Sequence, residues 1–357
     1  MRVGLIAPPW APVPPVGYGG TEVVVDNLAR GLQAVGHEVQ LFTVGDSACP
    51  VPMSHLYATA PRPIGTTIEE AAHVLAAYET MGDVDVIHDH TVLGPLLAPR
   101  PQRGTPVLST HHGPFTGENR RIFGEIARRA AVIAISHDQA SRAPEIPIAS
   151  VIHHGIDLAT YRFGPGDGGY LLFLGRMSPE KGVATALRVA HSSGRRLVLA
   201  TKMRDASEID YFKTVVEPLL TPDDELLVEP SIQVRLELLQ HAEALINPIA
   251  WPEPFGLAMA EALASGTPVV GYGTGAAPEI IDHGLTGFLC RDEDDMSAAV
   301  GRIPLLDRGA CRAAAAQRFS LSRMVRDHVE LYEHVLTNPA PRHGLRLGAL
   351  VPVEVVA

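Results

Sequence analysis

The chain has little of what marks a disulfide framework, a metal cluster or a polyanion-binding surface. Its three cysteines, Cys49, Cys290 and Cys311, are far apart, odd in number and free of any CxxC or Cys/His spacing. Neither a disulfide scaffold nor a zinc site follows, and a reducing, cytoplasmic compartment is expected. Lysine is scarcer than its length would suggest: Lys181, Lys202 and Lys213 stand alone in 357 residues, no basic block occurs, and the net charge is -11. Nucleic acid is therefore not an expected partner, and contact with an anionic membrane is expected to be peripheral at most. No apolar run approaches the length of a bilayer span. The opening run Arg2 to Ala7, stopped by Pro8-Pro9, is too short for the apolar core of a secretory leader. Internal repeats and low-complexity tracts are absent too.

What is present is a globular chain, 46% hydrophobic, long enough for two domains. Short β-branched runs at 3–7, 38–42, 83–87, 106–110 and 131–136 alternate with helix-length amphipathic segments, the rhythm of βα units around a parallel sheet. A Gly/Pro-rich break, clearest at Gly164-Pro165-Gly166-Asp167-Gly168-Gly169, reads as a linker. The rhythm then restarts, with strands near 170–174, 196–201, 225–228, 243–247, 267–271 and 286–290 and helices near 180–191, 231–242 and 254–265. The expected fold is thus α/β with two Rossmann-like, doubly wound domains, 1–163 and 164–319. A helix over 320–337 is expected to pack back on the first domain, followed by a tail, 338–357, with no assigned role.

Ligands of open α/β sheets bind beyond the carboxyl ends of the strands, where helix N-termini offer free N–H groups to anions. Four such exits carry unusual residues. After the first strand, a proline-rich loop ends in Gly17-Tyr18-Gly19-Gly20-Thr21-Glu22. This spacing does not fit a dinucleotide fingerprint, but Gly19 and Gly20 allow backbone amides close to a phosphate, or else form a simple turn.

The second exit is Gly175-Arg176-Met177-Ser178-Pro179-Glu180-Lys181-Gly182. Here Arg176 and Lys181 bracket a proline-marked helix start, so two cations and a helix dipole can meet one anion; a structural salt bridge is the plainer alternative. Lys202, at the next exit, is a secondary candidate. The third exit runs from Glu253-Pro254-Phe255-Gly256-Leu257 to Glu261 and Gly266. With Pro254 in the first helical turn, the amides of Phe255, Gly256 and Leu257 are free to act with Glu253, and a helical rise puts Glu261 about 12 Å further along. A carboxylate accepts two hydrogen bonds and so suits vicinal hydroxyls, although an isolated glutamate pair more often caps a helix and faces solvent. The fourth exit is Thr110-His111-His112-Gly113, where either histidine can reach a sugar hydroxyl or serve structure alone. His88-Asp89-His90 and His153-His154 look like metal ligands in composition only, without a third ligand at a suitable spacing.

Taken together, these motifs resemble the retaining GT-B glycosyltransferases of family 4 over about residues 1 to 336. Glu253 through Glu261 is similar to the family's E-x7-E motif, supported by YGGTE, GHEVQLFTVG (36–45), THHG, HHGID (153–157), GRMSPEKG and APEIIDHGLTGF (277–288). The resemblance implies that Arg176 and Lys181 hold the diphosphate of a nucleotide-sugar donor and that Glu261 takes the ribose hydroxyls. It also implies that Glu253, with the backbone of Phe255, Gly256 and Leu257, grips the donor sugar. His112 rather than His111 then lies near the anomeric centre, and Gly19 and Gly20 face the diphosphate from the other domain. His154 stands where the family commonly has Asn, and Gly275-Ala276 where it has Gly-Gly, which touches linker geometry and donor selectivity.

The expected reaction is metal-independent transfer of a hexose-type sugar from a nucleotide diphosphate, by family frequency UDP, to a small-molecule, glycan or lipid-linked hydroxyl acceptor, with no cofactor beyond the donor. Two rivals share the features: a GT-B epimerase or hydrolase acting on the sugar nucleotide, and a non-catalytic nucleotide-sugar binder. Arg120, Arg121, Arg128 and Arg129 are read either as a basic helical face for a lipid surface or as a solvated arginine-rich helix.

Overall fold

The computed structural model describes residues 1–17, 19–98 and 105–338. Two all-parallel sheets organise it. The first contains β1 (Arg2–Ile6), β2 (Glu38–Thr43), β3 (Met53–His55), β4 (Val86–Asp89), β5 (Val107–Thr110), β6 (Ala131–Ala134) and β7 (Ile148–Val151), in the order β3-β2-β1-β4-β5-β6-β7. The second contains β8 (Tyr170–Arg176), β9 (Arg196–Lys202), β10 (Glu225–Val228), β11 (Ala244–Asn247), β12 (Val269–Tyr272) and β13 (Gly287–Cys290), in the order β10-β9-β8-β11-β12-β13. In each sheet the strand order reverses beside the first strand, between β1 and β4 and between β8 and β11. That is the point where neighbouring loops diverge and leave a crevice.

The patterning explains both the strands that were expected and those that were not. β1, β8 and β9 are apolar runs buried on both faces, as interior strands of a parallel sheet require. By contrast, β3 is the fully exposed edge segment Met53-Ser54-His55, and β7 is the short run Ile148-Ala149-Ser150-Val151. Neither has a hydrophobic run to announce it, and the sequence reading missed both.

Two helix starts differ from expectation. The segment predicted over 180–191 is a three-residue 3-10 turn, Pro179–Lys181, followed by a helix from Val183 to Ser192. Gly182 divides them at φ 74°, in the left-handed region, and a β-carbon there would sit 2.3 Å from the Pro248 carbonyl oxygen. The helix predicted from residue 254 begins only at Leu257, with Gly256 as its N-cap at φ 92°. Pro254 is therefore not in the first helical turn, and a helical rise applies to only half of the steps between Glu253 and Glu261.

The C-terminal helix, Leu321–Thr337, lies against the helix Gly20–Ala34; the absent side chain of Gly31 lets Val325 approach. Val325, Leu331 and Tyr332 share a core with Val3, Leu5, Val24 and Leu28 of the first domain. The chain crosses between domains twice at one place, where the Ile156 N–H donates to the Phe319 carbonyl (2.8 Å) and the Leu321 N–H to the Ile156 carbonyl (2.9 Å). The predicted tail lies outside the described residues apart from Asn338. The proposed basic face also dissolves: the helix Gly117–Ile126 ends before Arg128 and Arg129, Arg120 and Arg128 pair with Glu145 and Glu125, and Arg129 donates to the Leu96 carbonyl. No helix among the described residues is long and apolar enough to cross a membrane.

Candidate active site

Because β8 and β11 are neighbours at the switch point, the loops that leave them meet. The Lys181 ammonium, on a residue only 7% exposed, donates to Glu253 Oε1 at 2.5 Å and lies 5.6 Å from the centre of the Trp251 ring. The loop after β12 backs Glu253 closely at Gly275 (φ 58°); a β-carbon there would sit 2.5 Å from the Glu253 amide nitrogen. Around the pair are several buried polar atoms with no partner: Glu253 Oε2, Trp251 Nε1, Ser178 Oγ and Thr201 Oγ1. A buried polar atom without a hydrogen bond costs about 1–3 kcal/mol. Four of them at the ends of β8, β9 and β11 form a surface built to be completed by a ligand rich in hydroxyl and anionic oxygens.

Arg176 ends β8 in register with Lys202 at the end of β9. Its guanidinium is ion-paired with Glu180 at 3.0 Å, and both side chains are exposed. The expected convergence of Arg176 and Lys181 on one helix start is thus altered: each cation is held by its own carboxylate, and the longer helix begins two residues beyond Lys181, after Gly182. Glu261, on the helix Leu257–Ala264, accepts from the Tyr161 hydroxyl at 2.9 Å. Burial raises its pKa, opposed by the Arg235 charge and the Tyr161 bond.

From the first domain, the helix beginning at Gly20 is capped by Gly19 and points at the second domain: a β-carbon on Gly20 would lie 3.5 Å from Leu257 Cδ1. Leu257 packs against the cores of both domains. Within the first turn of this helix, Glu22 folds back over Gly19, which Pro15 also covers. Burial pushes its carboxyl up to about 6 despite a bond to its own backbone N–H. Beside this loop is a hollow of about 290 Å³ whose walls include Pro15, Gly17, Asp46, Arg62 and Arg204, the last from the second domain.

The two histidines after β5 part ways. His111 turns into the first domain, with Nε2 at 3.1 Å from the Pro114 carbonyl and its ring against Phe115 and Phe123. His112 faces the junction: its Nε2 is 2.9 Å from His90 Nδ1, and its Nδ1 is 3.4 Å from His154 Nε2. His154 in turn meets the edge of Phe255, ring centres 5.0 Å apart. Burial, and then the nearby His111 and His328, push the His112 pKa down to about 3; His90 and His154 are also held well below the usual value by burial. Neutral imidazoles are the result. The pairs that looked like metal ligands are otherwise engaged, since His88 bonds Tyr332 and Thr110, and His153 bonds Glu279. Among the described residues no His, Cys, Asp and Glu side chains form a metal-holding group.

Glu279 ties the domains together on this side. It accepts from the backbone N–H groups of His137 (2.9 Å) and Asp138 (2.7 Å) and sits 2.7 Å from His153 Nε2. Burial alone would raise its pKa, but these bonds outweigh it and hold the carboxylate below its usual range.

The structure therefore joins Lys181 with Glu253, Gly20 with Leu257, and His112 with Phe255 through His154, while Arg176 and Glu261 contact other partners. The sequence reading did not single out Ser178, Thr201, Trp251, Tyr161 or Arg235, named His90 only in a metal-like pair, and did not foresee the bond between His154 and His112. A signal existed for Trp251, one of two tryptophans in the chain, and lying two residues before Glu253. The others are common residue types whose position only the fold reveals.

Comparison with known proteins agrees with this layout. Residues 18–160 match the model of Glycosyltransferase Family 4, and residues 163–317 that of Glycosyl transferases group 1. Among curated proteins, an MMP alpha-(1->4)-mannosyltransferase of Mycolicibacterium hassiacum is 28% identical, over 90% of this chain and 96% of its own. A glycogen synthase of Mycobacterium tuberculosis is 26% identical over 90% of each. Among solved structures, AviGT4, a glycosyltransferase involved in avilamycin A biosynthesis, superposes with a TM-score of 0.70 at 26% identity, over 95% of this chain and 98% of that one. The sucrose-phosphate synthase of Thermosynechococcus elongatus, 20% identical over 94% of this chain and 99% of its own, shares the fold with a TM-score of 0.81. With two sheets facing one junction, a cation–carboxylate pair at the switch point and both family models in succession, this chain belongs to the GT-B glycosyltransferases of family 4.

Proposed function

We propose that the protein moves a hexose-type sugar from a nucleoside diphosphate, UDP by family frequency, to a hydroxyl acceptor with retention of anomeric configuration. The observation that carries this reading is the buried Lys181–Glu253 pair ringed by unpartnered polar atoms. A diphosphate arriving beside Lys181 competes for its ammonium and releases Glu253 to accept from two sugar hydroxyls, so one ion pair separates into a phosphate grip and a sugar grip. Trp251 Nε1, Ser178 and Thr201 gain the partners they lack. Glu261, bonded to the Tyr161 hydroxyl, takes the ribose hydroxyls in this reading.

In the reaction, the bond from the anomeric carbon to the phosphate oxygen breaks as the acceptor oxygen bonds to the same face, and the acceptor proton passes to the departing phosphate oxygen. Lys181, Arg176 and the amides at Gly19 and Gly20 stabilise the growing negative charge of the leaving group, while His112, neutral, donates to the sugar. The acceptor enters by the hollow between Pro15, Asp46, Arg62 and Arg204. Its identity is not inherited: the curated relatives include a glycogen synthase, a mannosyltransferase of phosphatidyl-myo-inositol and D-inositol 3-phosphate glycosyltransferases.

The test is a melting series with UDP, GDP, ADP and their sugars. A donor at one hundred times its Kd stabilises the native state by about 2.7 kcal/mol. The reading predicts a shift with one nucleotide family and its loss in Lys181→Ala; no shift with any nucleotide would sink it. Turnover of that donor with an acceptor, followed by NMR of the product, reports the anomeric configuration, and inversion would refute the retaining mechanism. Consumption of donor without acceptor would instead favour the hydrolase or epimerase.

A further inference from the structure

His112 is held unequally on its two sides. The contact of its Nε2 with His90 Nδ1 is short, 2.9 Å, and the contact of its Nδ1 with His154 Nε2 is long, 3.4 Å. His90 belongs to the exit of β4, fixed within the first domain, 4% exposed, with its ring 4.1 Å from that of His88. His88 is itself locked by Tyr332 and Thr110, each at 2.7 Å. His154 sits on the crossing between the domains. One neighbour of His112 is anchored, and the other rides on the joint.

A neutral imidazole carries one N–H, so one bond determines the next. His90 Nε2 is buried and has no partner. If His112 donated to His90, the proton of His90 would be on Nε2 as a buried donor without an acceptor, an arrangement rare in folded proteins. If His90 donates from Nδ1, its bare Nε2 leaves only an unused lone pair. His112 then carries its proton on Nδ1, aimed along the longer contact toward His154 and Phe255.

We propose that His90 is a positioning residue that fixes His112 as its Nδ1–H form, and that a donor-sugar hydroxyl oxygen takes the place of His154 Nε2 as acceptor of that N–H. The proposal rests on the reading of His112 as the group facing the donor sugar. It gives the His154 in place of the family's usual Asn a role: it accepts the N–H while no sugar is bound, so that the proton is never left unpaired. The strength of the two contacts matches their tasks, since the short bond orients and the long one yields.

The test needs the full chain with 15N-labelled histidine. Two-bond 15N–1H correlation spectra of the wild type are expected to show His112, assigned by its loss in His112→Ala, protonated at Nδ1; protonation at Nε2 overturns the proposal whatever the variants do. His90→Phe keeps a ring but no donor. It is expected to mix the two forms of His112 and to lower kcat about 10–100-fold, as loss of an orienting partner does elsewhere, with donor KM changed far less. His90→Asn, whose amide N–H replaces Nδ1–H, is expected to restore both the Nδ1–H form and most of kcat. A role in packing alone predicts the opposite order, with Phe milder than Asn, and that order overturns the proposal. His112→Ala separates the two layers of the argument. Unchanged turnover there removes the reading beneath the proposal, whereas a large loss there with His90→Phe unaffected in spectrum and turnover removes only the role of His90.

Discussion

The two faces of the junction solve the burial of polar groups in opposite ways. The second-domain face keeps full charges, Lys181 against Glu253, and leaves Trp251 Nε1, Ser178 Oγ, Thr201 Oγ1 and Glu253 Oε2 without partners. The first-domain face is made of neutral imidazoles that mostly satisfy one another, with burial holding His88, His90, His112 and His154 uncharged. Unsatisfied groups cost stability, so the four gathered around the Lys181–Glu253 pair mark where binding energy is to be recovered. A satisfied, neutral face instead offers a rigid wall that adds no second charge to compete for a diphosphate.

The largest break in this contrast is Lys181→Ala. Removing one partner of a buried pair strands the other, at about 3 kcal/mol, and turnover is expected to fall by at least about 100-fold through loss of charge stabilisation. Urea melts and initial rates measure both. The double variant Lys181→Met with Glu253→Gln is expected to recover most of the stability and none of the turnover. If it recovered turnover, the pair would be structural.

Glu22 probes the neutrality of the first-domain face. Its folded pKa is about 6 against 4.5 in the unfolded chain, so the folded state keeps a proton that the unfolded state releases between those values. Stability therefore declines as pH rises from 4.5 to 6, by about 2 kcal/mol in all. Glu22→Gln is expected to abolish that decline and to be more stable than the wild type at pH 7.5, with equal stability below pH 4.5. Parallel pH profiles for the two proteins would contradict the burial argument.

A smaller effect is expected at the seam. Glu279 has a lowered folded pKa, so its contribution is present above the unfolded value of 4.5 and is lost as pH falls through the folded one. Glu279→Gln should cost about 1.5 kcal/mol at pH 7, with the gap to the wild type closing in acid. Smallest of all, Arg120→Ala, which breaks an exposed ion pair with Glu145, is expected to leave turnover and Tm unchanged. A change in turnover on lipid-linked acceptors alone would revive a surface role for that arginine.

Much of this was legible in the sequence because the signals are local. Interior strands such as Tyr170–Arg176 show as apolar runs, and the scarcity of lysine drew attention to Lys181. What was hidden depends on positive φ and on distance. Gly182 and Gly256 each delay a helix by turning left-handed, which their neighbours do not announce, and β3 has no hydrophobic face to display. The meeting of His90, His112 and His154 draws on a strand exit, a second strand exit and the linker, so no periodicity connects them. His154 registered only as half of a metal-like pair and as a departure from a family pattern.

The double crossing at Ile156 and Ser320 has a consequence for biosynthesis. The first domain is completed by a helix that the ribosome makes after the entire second domain, so the second domain is in effect an insertion into the first. A nascent chain that has released residues 1–163 still leaves uncovered the face of the helix Gly20–Ala34 around Gly31, which awaits Leu321 and Val325, in a core that also takes in Tyr332. Cutting the gene at the linker would therefore not yield two independent modules. The amino-terminal half would need residues 321–337 supplied, covalently or as a separate peptide, before it could close its core.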